Sequence, residues 1–250
     1  MASADYAPGA HLLCLLLWMA GVAGALSLLA IPLEAIKPAG LDLPPLAFRA
    51  LTLINPLFLL TLLVPLGCWL APRVGLDAPL TRALLTRSGE AYAILRRQIG
   101  PAGWVGLAVG LLLIVYSVVS GPLLAQAPAA ARLELPLVSR LLYGGITEEL
   151  LTRWGLMTVF VWLAVKVGLK GAAPYWLGAA LAALLFAAGH VPMLNLLIPN
   201  PPPALLAMVL AGNAVPGLLF GWLFWKRGLE AAIFSHALAH LVAWTFGLIG

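Results

Sequence analysis

The sequence predicts an all-α fold: a polytopic membrane helix bundle with about seven transmembrane helices and one interfacial amphipathic helix. Hydrophobic residues make up 63% of the 250 residues, and charged residues only 9%. A soluble domain carries about 25% charged residues. The apolar residues also form runs long enough to cross a bilayer, which takes roughly 20 residues. These observations exclude an ordinary soluble enzyme, a nucleic-acid-binding domain and a disordered protein.

Seven apolar segments are candidate spans, and we take them in chain order. They are residues 11–31, 51–70, 104–124, 137–165, 174–191, 205–225 and 229–248. The first is longer than a signal-peptide core and follows no Lys or Arg, so we expect it to be retained as a span. Prolines are expected to kink or end the helices at Pro56, Pro65, Pro192 and Pro216.

No repeat or second domain is visible in the sequence. We therefore expect one integral membrane domain over residues 1–250. Its N-terminal part, residues 1–125, holds the first spans and a cytoplasmic amphipathic connection, and residues 137–245 form a core that carries the motifs described below.

Positive charge in the connections predicts the orientation of the chain. The connections after the second, fourth and sixth spans lie on one side and carry nine basic residues: Arg73, Arg82, Arg87, Arg96, Arg97, Lys166, Lys170, Lys226 and Arg227. The connections on the opposite side carry only Lys37, Arg49, Arg132 and Arg140. The first group is expected in the cytoplasm, together with the N-terminus. The composition, rich in Ala, Leu and Pro, favours a bacterial inner membrane. The net charge of +5 favours anionic lipid head groups of the bilayer as the partner, and no nucleic acid.

The connection after the second span predicts an amphipathic helix. Leu80, Leu84, Ala91 and Leu95 recur at helical spacing, and the arginines fall mostly elsewhere. We expect this helix to lie on the membrane surface. A solvated linker helix is the alternative.

The fourth span contains ionisable residues, which are costly inside a membrane and are therefore candidates for function. Arg153 follows Glu149 by four residues, so the two side chains share a helical face and form an ion pair. Glu148 points about 100° away and remains free for a general acid or base. A purely structural ion pair is the alternative for these residues.

Histidines mark two further spans. Phe186 and His190 lie one turn apart in the fifth span, and His236 and His240 share one face of the seventh. A single histidine in a span is often a packing residue. A functional site is favoured because three spans together carry two carboxylates, a guanidinium and three imidazoles. In the sixth span, residues 211–217 predict a break that contacts substrate, or a kink needed for packing.

These residues resemble the three motifs of the CPBP family, the CAAX protease and bacteriocin-processing family, also called the abortive-infection family. The resemblance covers about residues 137–244 and rests on Glu148, Glu149, Arg153, Phe186, His190, His236 and His240. The third motif of the family usually ends in Asn or Asp, where this chain has His240. Since a neutral imidazole donates one hydrogen bond, the role of that position is expected to persist.

The resemblance implies an intramembrane endopeptidase that acts on a membrane-anchored or hydrophobic peptide. It implies that Glu148 and His190 activate a water, and that His236 and His240 stabilise the oxyanion. Glu149 and Arg153 are expected to support them. We favour this metal-free, glutamic type of protease.

Three alternatives remain open. A zinc enzyme would use His190, His236 and His240 as ligands, although no His-Glu-x-x-His pattern is present. A non-catalytic binding, scaffold or immunity protein would use the same residues for structure. A small proton-coupled transporter would use the buried carboxylates as a relay, but the inverted repeats typical of transporters are not visible.

Overall fold

The computed structural model describes residues 9–33, 37, 42–124 and 135–246, and the elements in this part are helical, without a strand. The all-α prediction is therefore confirmed. The helices are α1 (Ala10–Leu26), α2 (Pro45–Leu70), α3 (Pro79–Thr86), α4 (Ala91–Leu124), α5 (Leu137–Ser139), α6 (Thr158–Lys166), α7 (Ala173–Gly189), α8 (Val191–Leu197), α9 (Pro203–Arg227) and α10 (Leu229–Thr245).

Helices α5 and α6 are the two ends of one continuous rod, residues 137–166, which we call the motif helix. Between them the backbone is π-helical over Arg140–Glu148 and Leu150–Met157. Glu149 joins the two π-helical segments with helical angles, φ −67° and ψ −38°. A π-helix closes its hydrogen bonds over five residues instead of four, and such turns are frequent at functional sites.

Five helical segments are long and apolar enough to cross a membrane. They are Ala10–Ala30, Pro45–Val74, Ala91–Leu124, Ala173–Leu197 and Pro203–Arg227. The prediction of a polytopic membrane bundle is confirmed, but the count of seven spans is not. Helix α10 has only 17 residues, about 25 Å at the α-helical rise. The motif helix carries Glu148, Glu149 and Arg153 within its length.

The motif helix lies at the centre of the bundle. Its first half packs against α1 and α10, and its second half against α2 and α7. Small residues allow the close approach: a Cβ added to Gly145 would lie 2.9 Å from the Cβ of Ala237 on α10. On the other side, the Thr147 hydroxyl donates a 2.8 Å hydrogen bond to the Gly21 carbonyl of α1. These contacts fix the rotation of the motif helix and therefore the direction of its charged side chains.

The predicted basic connections meet at one end of the bundle, which we call the basic end. The Tyr175 hydroxyl donates to the Val74 carbonyl at 2.8 Å, and the Tyr175 ring stacks on Trp225 with centroids 4.7 Å apart. The Gln98 amide donates to the Arg227 carbonyl, also at 2.8 Å. These contacts join the connections that follow α2, the motif helix and α9.

Tryptophans at the basic end carry cations on their rings. The distances from the charged group to the ring centroid are 4.6 Å for Arg73 on Trp69, 5.5 Å for Lys166 on Trp162 and 3.5 Å for Lys226 on Trp225. Tryptophan prefers the level of the lipid head groups. The three pairs therefore suit an interfacial position for this end of the bundle.

The single amphipathic helix predicted over residues 80–95 is wrong. Helix α3 ends at Thr86, because Arg87 and Gly89 adopt positive φ angles of 51° and 75° that break the helix. Ala91 then begins α4, which continues to Leu124. Helix α3 is attached to α10, since the backbone N–H and hydroxyl of Thr81 donate to Glu230 at 2.8 and 2.7 Å.

Two further expectations need correction. Helix α9 runs unbroken through residues 211–217, with Pro216 inside it, so the break is absent, while the favoured alternative of a packing kink stays a prediction. The charge pattern assigns Arg140 to a connection, but this residue lies inside the motif helix and is buried. Arg132 lies outside the described residues. Of the other prolines, Pro56 and Pro65 lie within α2, and Pro192 stands at the start of α8, directly after α7 ends.

Candidate active site

Glu149 and Arg153 form an ion pair behind the site, as their four-residue spacing predicts. Arg153 Nη1 lies 3.0 Å from Glu149 Oε1. The Arg153 side chain is 2% exposed and the Glu149 side chain 0%. Arg153 Nη2 also donates to the Gly217 carbonyl of α9 at 3.0 Å. The guanidinium lies over the rings of Phe186 and Phe220. One cation thereby links the motif helix to α7 and α9.

Glu149 also holds His236. His236 Nδ1 lies 2.8 Å from Glu149 Oε1. A carboxylate only accepts hydrogen bonds, so Nδ1 carries the proton and donates it to Glu149. In the neutral imidazole, Nε2 is then an acceptor, and it lies 4.0 Å from Glu148 Oε2. The two adjacent glutamates therefore face the same imidazole from its two nitrogens.

An aromatic stack fixes the two histidines of α10. The His236 ring lies between Phe220 and His240, with centroid distances of 4.7 and 4.9 Å and interplanar angles of 24°. Nδ1 of His240 is buried, and the structure gives it no hydrogen-bond partner among the described residues. Gly144 makes room for this ring, because a Cβ there would lie 2.8 Å from His240 Nε2.

His190 lies where α7 ends and α8 begins. Its Nδ1 lies 2.8 Å from the Phe186 carbonyl oxygen, and its ring meets the Phe186 ring edge to face at 4.7 Å. Since a carbonyl only accepts, Nδ1 donates and Nε2 is left as an acceptor in the neutral ring. The imidazole is half-buried and reaches the same cavity as the histidines of α10.

A cavity of about 180 Å³ collects these side chains. Glu148, His190, His236 and His240 all line it. Glu149 and Arg153 do not line the cavity. Instead they contact residues of its wall: Glu149 contacts His236, and Arg153 lies over the ring of Phe220. Of the six predicted site residues, the structure therefore brings four to one cavity and places two behind its wall. Their catalytic roles remain predictions.

The sequence analysis missed four polar residues of the cavity wall: Ser139, Arg140, Tyr143 and Asn213. Arg140 precedes Glu148 by eight residues, about two turns, and this spacing was a usable signal. Counting Arg140 as a charge of a connection concealed it. Asn213 lies in the 211–217 segment, which drew attention for its glycines and proline. Its Nδ2 donates to the Val209 carbonyl at 2.8 Å.

The three histidines of the zinc alternative do not form a ready metal site. Within residues 9–33, 37, 42–124 and 135–246, no group of three or more His, Cys, Asp or Glu side chains is arranged to hold a metal ion. His190 and His236 each have Nδ1 occupied by an oxygen of the protein. This pairing of Nδ1 is also usual in metal-bound histidines, and it leaves both Nε2 atoms available to a metal. The zinc alternative therefore calls for a direct experiment.

Comparison with known families points to the same part of the chain. Residues 131–242 match the family model of type II CAAX prenyl endopeptidase Rce1-like proteins. Residues 131–242 of the chain are therefore similar to an Rce1-like domain. The resemblance to the CPBP family is thereby confirmed, and a membrane protease is supported in general terms. The matched residues include the whole candidate site, from Glu148 to His240. Comparison with curated proteins and with solved structures gave no significant match.

Proposed function

We propose that this protein is an intramembrane endopeptidase of the metal-free, glutamic type, acting on a membrane-anchored or hydrophobic peptide. One observation carries the proposal: Glu148 and three imidazoles surround one cavity within the matched residues 131–242. Ionisable groups are rare inside membrane bundles and are there for function by default. A general base and hydrogen-bond donors around one cavity that can hold a water and a peptide group are what peptide hydrolysis needs.

Glu148 is the proposed general base. Its side chain is 17% exposed and lines the cavity, whereas the adjacent Glu149 is fully buried and paired. Glu148 takes a proton from a water, whose oxygen attacks the scissile carbonyl carbon. The same carboxyl group later gives this proton to the leaving amine. His190 orients the water through Nε2, since its Nδ1 is held by the Phe186 carbonyl.

His236 and His240 are the proposed oxyanion group. In a protonated His236 both ring nitrogens donate, Nδ1–H to Glu149 and Nε2–H into the cavity. Such a donor stabilises the negative charge that develops on the carbonyl oxygen. Glu149 and Arg153 are positioning residues: they do not reach the cavity, but they fix the orientation of the His236 ring.

A cleavage assay with the purified full-length protein in lipid nanodiscs tests the role of Glu148. The substrates are hydrophobic peptides with a fluorophore and a quencher. The Glu148→Gln variant keeps the shape of the side chain but loses its proton chemistry, so we expect activity to fall by about 100-fold or more. Glu90→Gln is the matched control, since Glu90 is exposed and remote from the cavity. Undiminished cleavage by Glu148→Gln would show that Glu148 is not the base.

The orientation is proposed from the basic end, which we place in the cytoplasm of a bacterial inner membrane, together with the N-terminus. The test is labelling with a membrane-impermeant maleimide after Cys14 and Cys68 are replaced by Ala. Ser88→Cys reports on the basic end and Leu46→Cys on the opposite end, and both sites are exposed. We expect intact cells to label Leu46→Cys only. Labelling of Ser88→Cys in intact cells would reverse the orientation.

A further inference from the structure

Several hydrogen-bond donors in the cavity wall are already occupied by the protein itself. The Ser139 hydroxyl and the Asn213 amide each donate to a backbone carbonyl, at 2.7 and 2.8 Å. His190 and His236 use Nδ1 to hold a carbonyl and a carboxylate oxygen, both at 2.8 Å. In the neutral rings the remaining Nε2 atoms only accept hydrogen bonds. An oxyanion needs donors, and these four residues supply few of them to the cavity.

The Tyr143 hydroxyl is an unoccupied donor in the same wall. Tyr143 is half-buried and lines the cavity. Within the described part of the chain, its hydroxyl forms no hydrogen bond. The hydroxyl oxygen is not closed off inside the protein, so it is open to the cavity. A phenol keeps its proton around neutral pH and donates without a prior protonation step, whereas Nε2 of His236 must first take up a proton.

The π-helical backbone places this hydroxyl on the same face as Glu148. Tyr143 precedes Glu148 by five residues, and both lie in the π-helical segment Arg140–Glu148. A π-helix joins residues five apart by its hydrogen bonds, so their side chains lie one above the other. In an α-helix the same two side chains would diverge by about 140°. Side chains of a helix also tilt towards its N-terminus, so Glu148 leans over the turn that carries Tyr143.

The cavity wall between these two side chains is free of bulk. Among the motif-helix residues that line the cavity, only Gly144 stands between Tyr143 and Glu148. Gly145 faces α10 instead, and Thr147 is hydrogen-bonded to α1. A peptide bond that is attacked beside Glu148 can therefore present its carbonyl oxygen to the Tyr143 hydroxyl.

We propose that Tyr143 is a further catalytic residue, whose hydroxyl donates a hydrogen bond to the carbonyl oxygen of the cleaved peptide bond. The inference rests on the proposed protease function and deepens it by adding a donor to the oxyanion group of His236 and His240. When the water oxygen bonds to the carbonyl carbon, one electron pair of the C=O bond moves onto its oxygen. Tyr143 stabilises this charge and keeps its own proton. The electron pair then returns, the C–N bond breaks, and the leaving amine takes the proton from Glu148.

The variant Tyr143→Phe removes the hydroxyl and keeps the ring. With a quenched hydrophobic peptide and the protein in nanodiscs, we expect kcat to fall by about tenfold or more. KM should stay within about twofold of wild type, because the lost interaction strengthens only in the transition state. The Tm should stay within about 2 °C of wild type, since the hydroxyl has no partner in the described structure. A hydroxyl that only supports the structure would lower the Tm and leave kcat unchanged.

Tyr116→Phe is the matched control for this variant. Tyr116 is also half-buried, but its ring faces Gly212 and it is not part of the cavity wall. We expect its kcat and KM to equal those of the wild type. An unchanged kcat in Tyr143→Phe would overturn the inference and leave the protease function standing.

A second measurement does not depend on turnover. Two uncleavable analogues of the peptide carry, at the cleaved bond, a hydroxyethylene group with a hydroxyl where the oxyanion forms, or an ethylene group without it. We expect Tyr143→Phe to bind the hydroxyethylene analogue about fivefold or more weakly than wild type, and the ethylene analogue equally well. If the wild type cleaves nothing, this result still supports the donor, and only the protease function is contradicted. Equal binding of the hydroxyethylene analogue by both proteins, or none by either, would then overturn the inference.

Discussion

Replacing Arg153 by Met tests the ion pair behind the cavity. The substitution keeps an apolar stem of similar length but removes the contacts to Glu149 and Gly217, both 3.0 Å long. The Glu149 carboxylate would then stay fully buried without its cation. Breaking a buried pair on one side costs about 3–5 kcal/mol. At about 2–4 °C per kcal/mol for a chain of this size, the Tm should fall by about 6–20 °C.

The double variant Glu149→Gln with Arg153→Met provides the matched comparison. It removes both charges, and the introduced glutamine would still offer a carbonyl oxygen to the Nδ1–H of His236. Replacing a whole buried ion pair by neutral groups is often close to neutral for stability. We therefore expect the double variant to regain most of the lost Tm. The assay is thermal unfolding in one detergent, followed by size-exclusion chromatography with fluorescence detection. A Tm for Arg153→Met within about 2 °C of wild type, or a double variant less stable than the single one, would refute this reasoning.

Three further predictions concern the neighbourhood of the cavity. Gly144→Ala should lower kcat by about tenfold or more, because the new Cβ would lie 2.8 Å from His240 Nε2 and displace the His240 ring. Gly121→Ala is the control: its new Cβ would have no neighbouring atom within 4 Å, so kcat should not change. His240→Asn should keep substantial cleavage activity, and a chelator should not inhibit the wild-type protein. If the wild type instead contains stoichiometric zinc, and His240→Asn loses both the zinc and the activity, the protein is a zinc enzyme. Thr81→Val should lower the unfolding free energy by about 1.5–3 kcal/mol through the lost hydrogen bond to the Glu230 carboxylate, measured as a lower Tm, with cleavage at low temperature unchanged.

The sequence predicted the local part of the site well. Glu149 and Arg153 lie four residues apart on one helix, so helical geometry alone brings them together. His236 and His240 share a face for the same reason. The contact of His236 with Glu149 joins residues 87 positions apart, and no local rule supplies it. Arg140 was missed because its charge was assigned to a connection before the start of the helix was known.

The fold shows the same limit. The apolar spacing of residues 80–95 continues through a point where the backbone turns back, at Arg87 and Gly89. A positive φ is ordinary for Gly but uncommon for Arg, so nothing in the residue type at Arg87 predicted the turn. At Pro216 the error runs the other way. The proline suggested a break in the helix, but α9 continues through it. A proline removes one hydrogen bond, and neighbouring helices in a membrane bundle compensate for the loss.

The tryptophan–cation pairs at the basic end predict how deep the carboxylates lie in the bilayer. Trp162 and Glu148 are 14 residues apart on the motif helix, which is at most about 21 Å at the α-helical rise and less along its π-helical part. The hydrocarbon core is about 30 Å thick. With Trp162 at one surface, we expect Glu148 to lie at least about 9 Å below the other, and water to have its shortest path from that side. Longer acyl chains lengthen this path while the anchored end stays in place. We therefore predict that a thicker surrounding membrane lowers the hydration of the cavity.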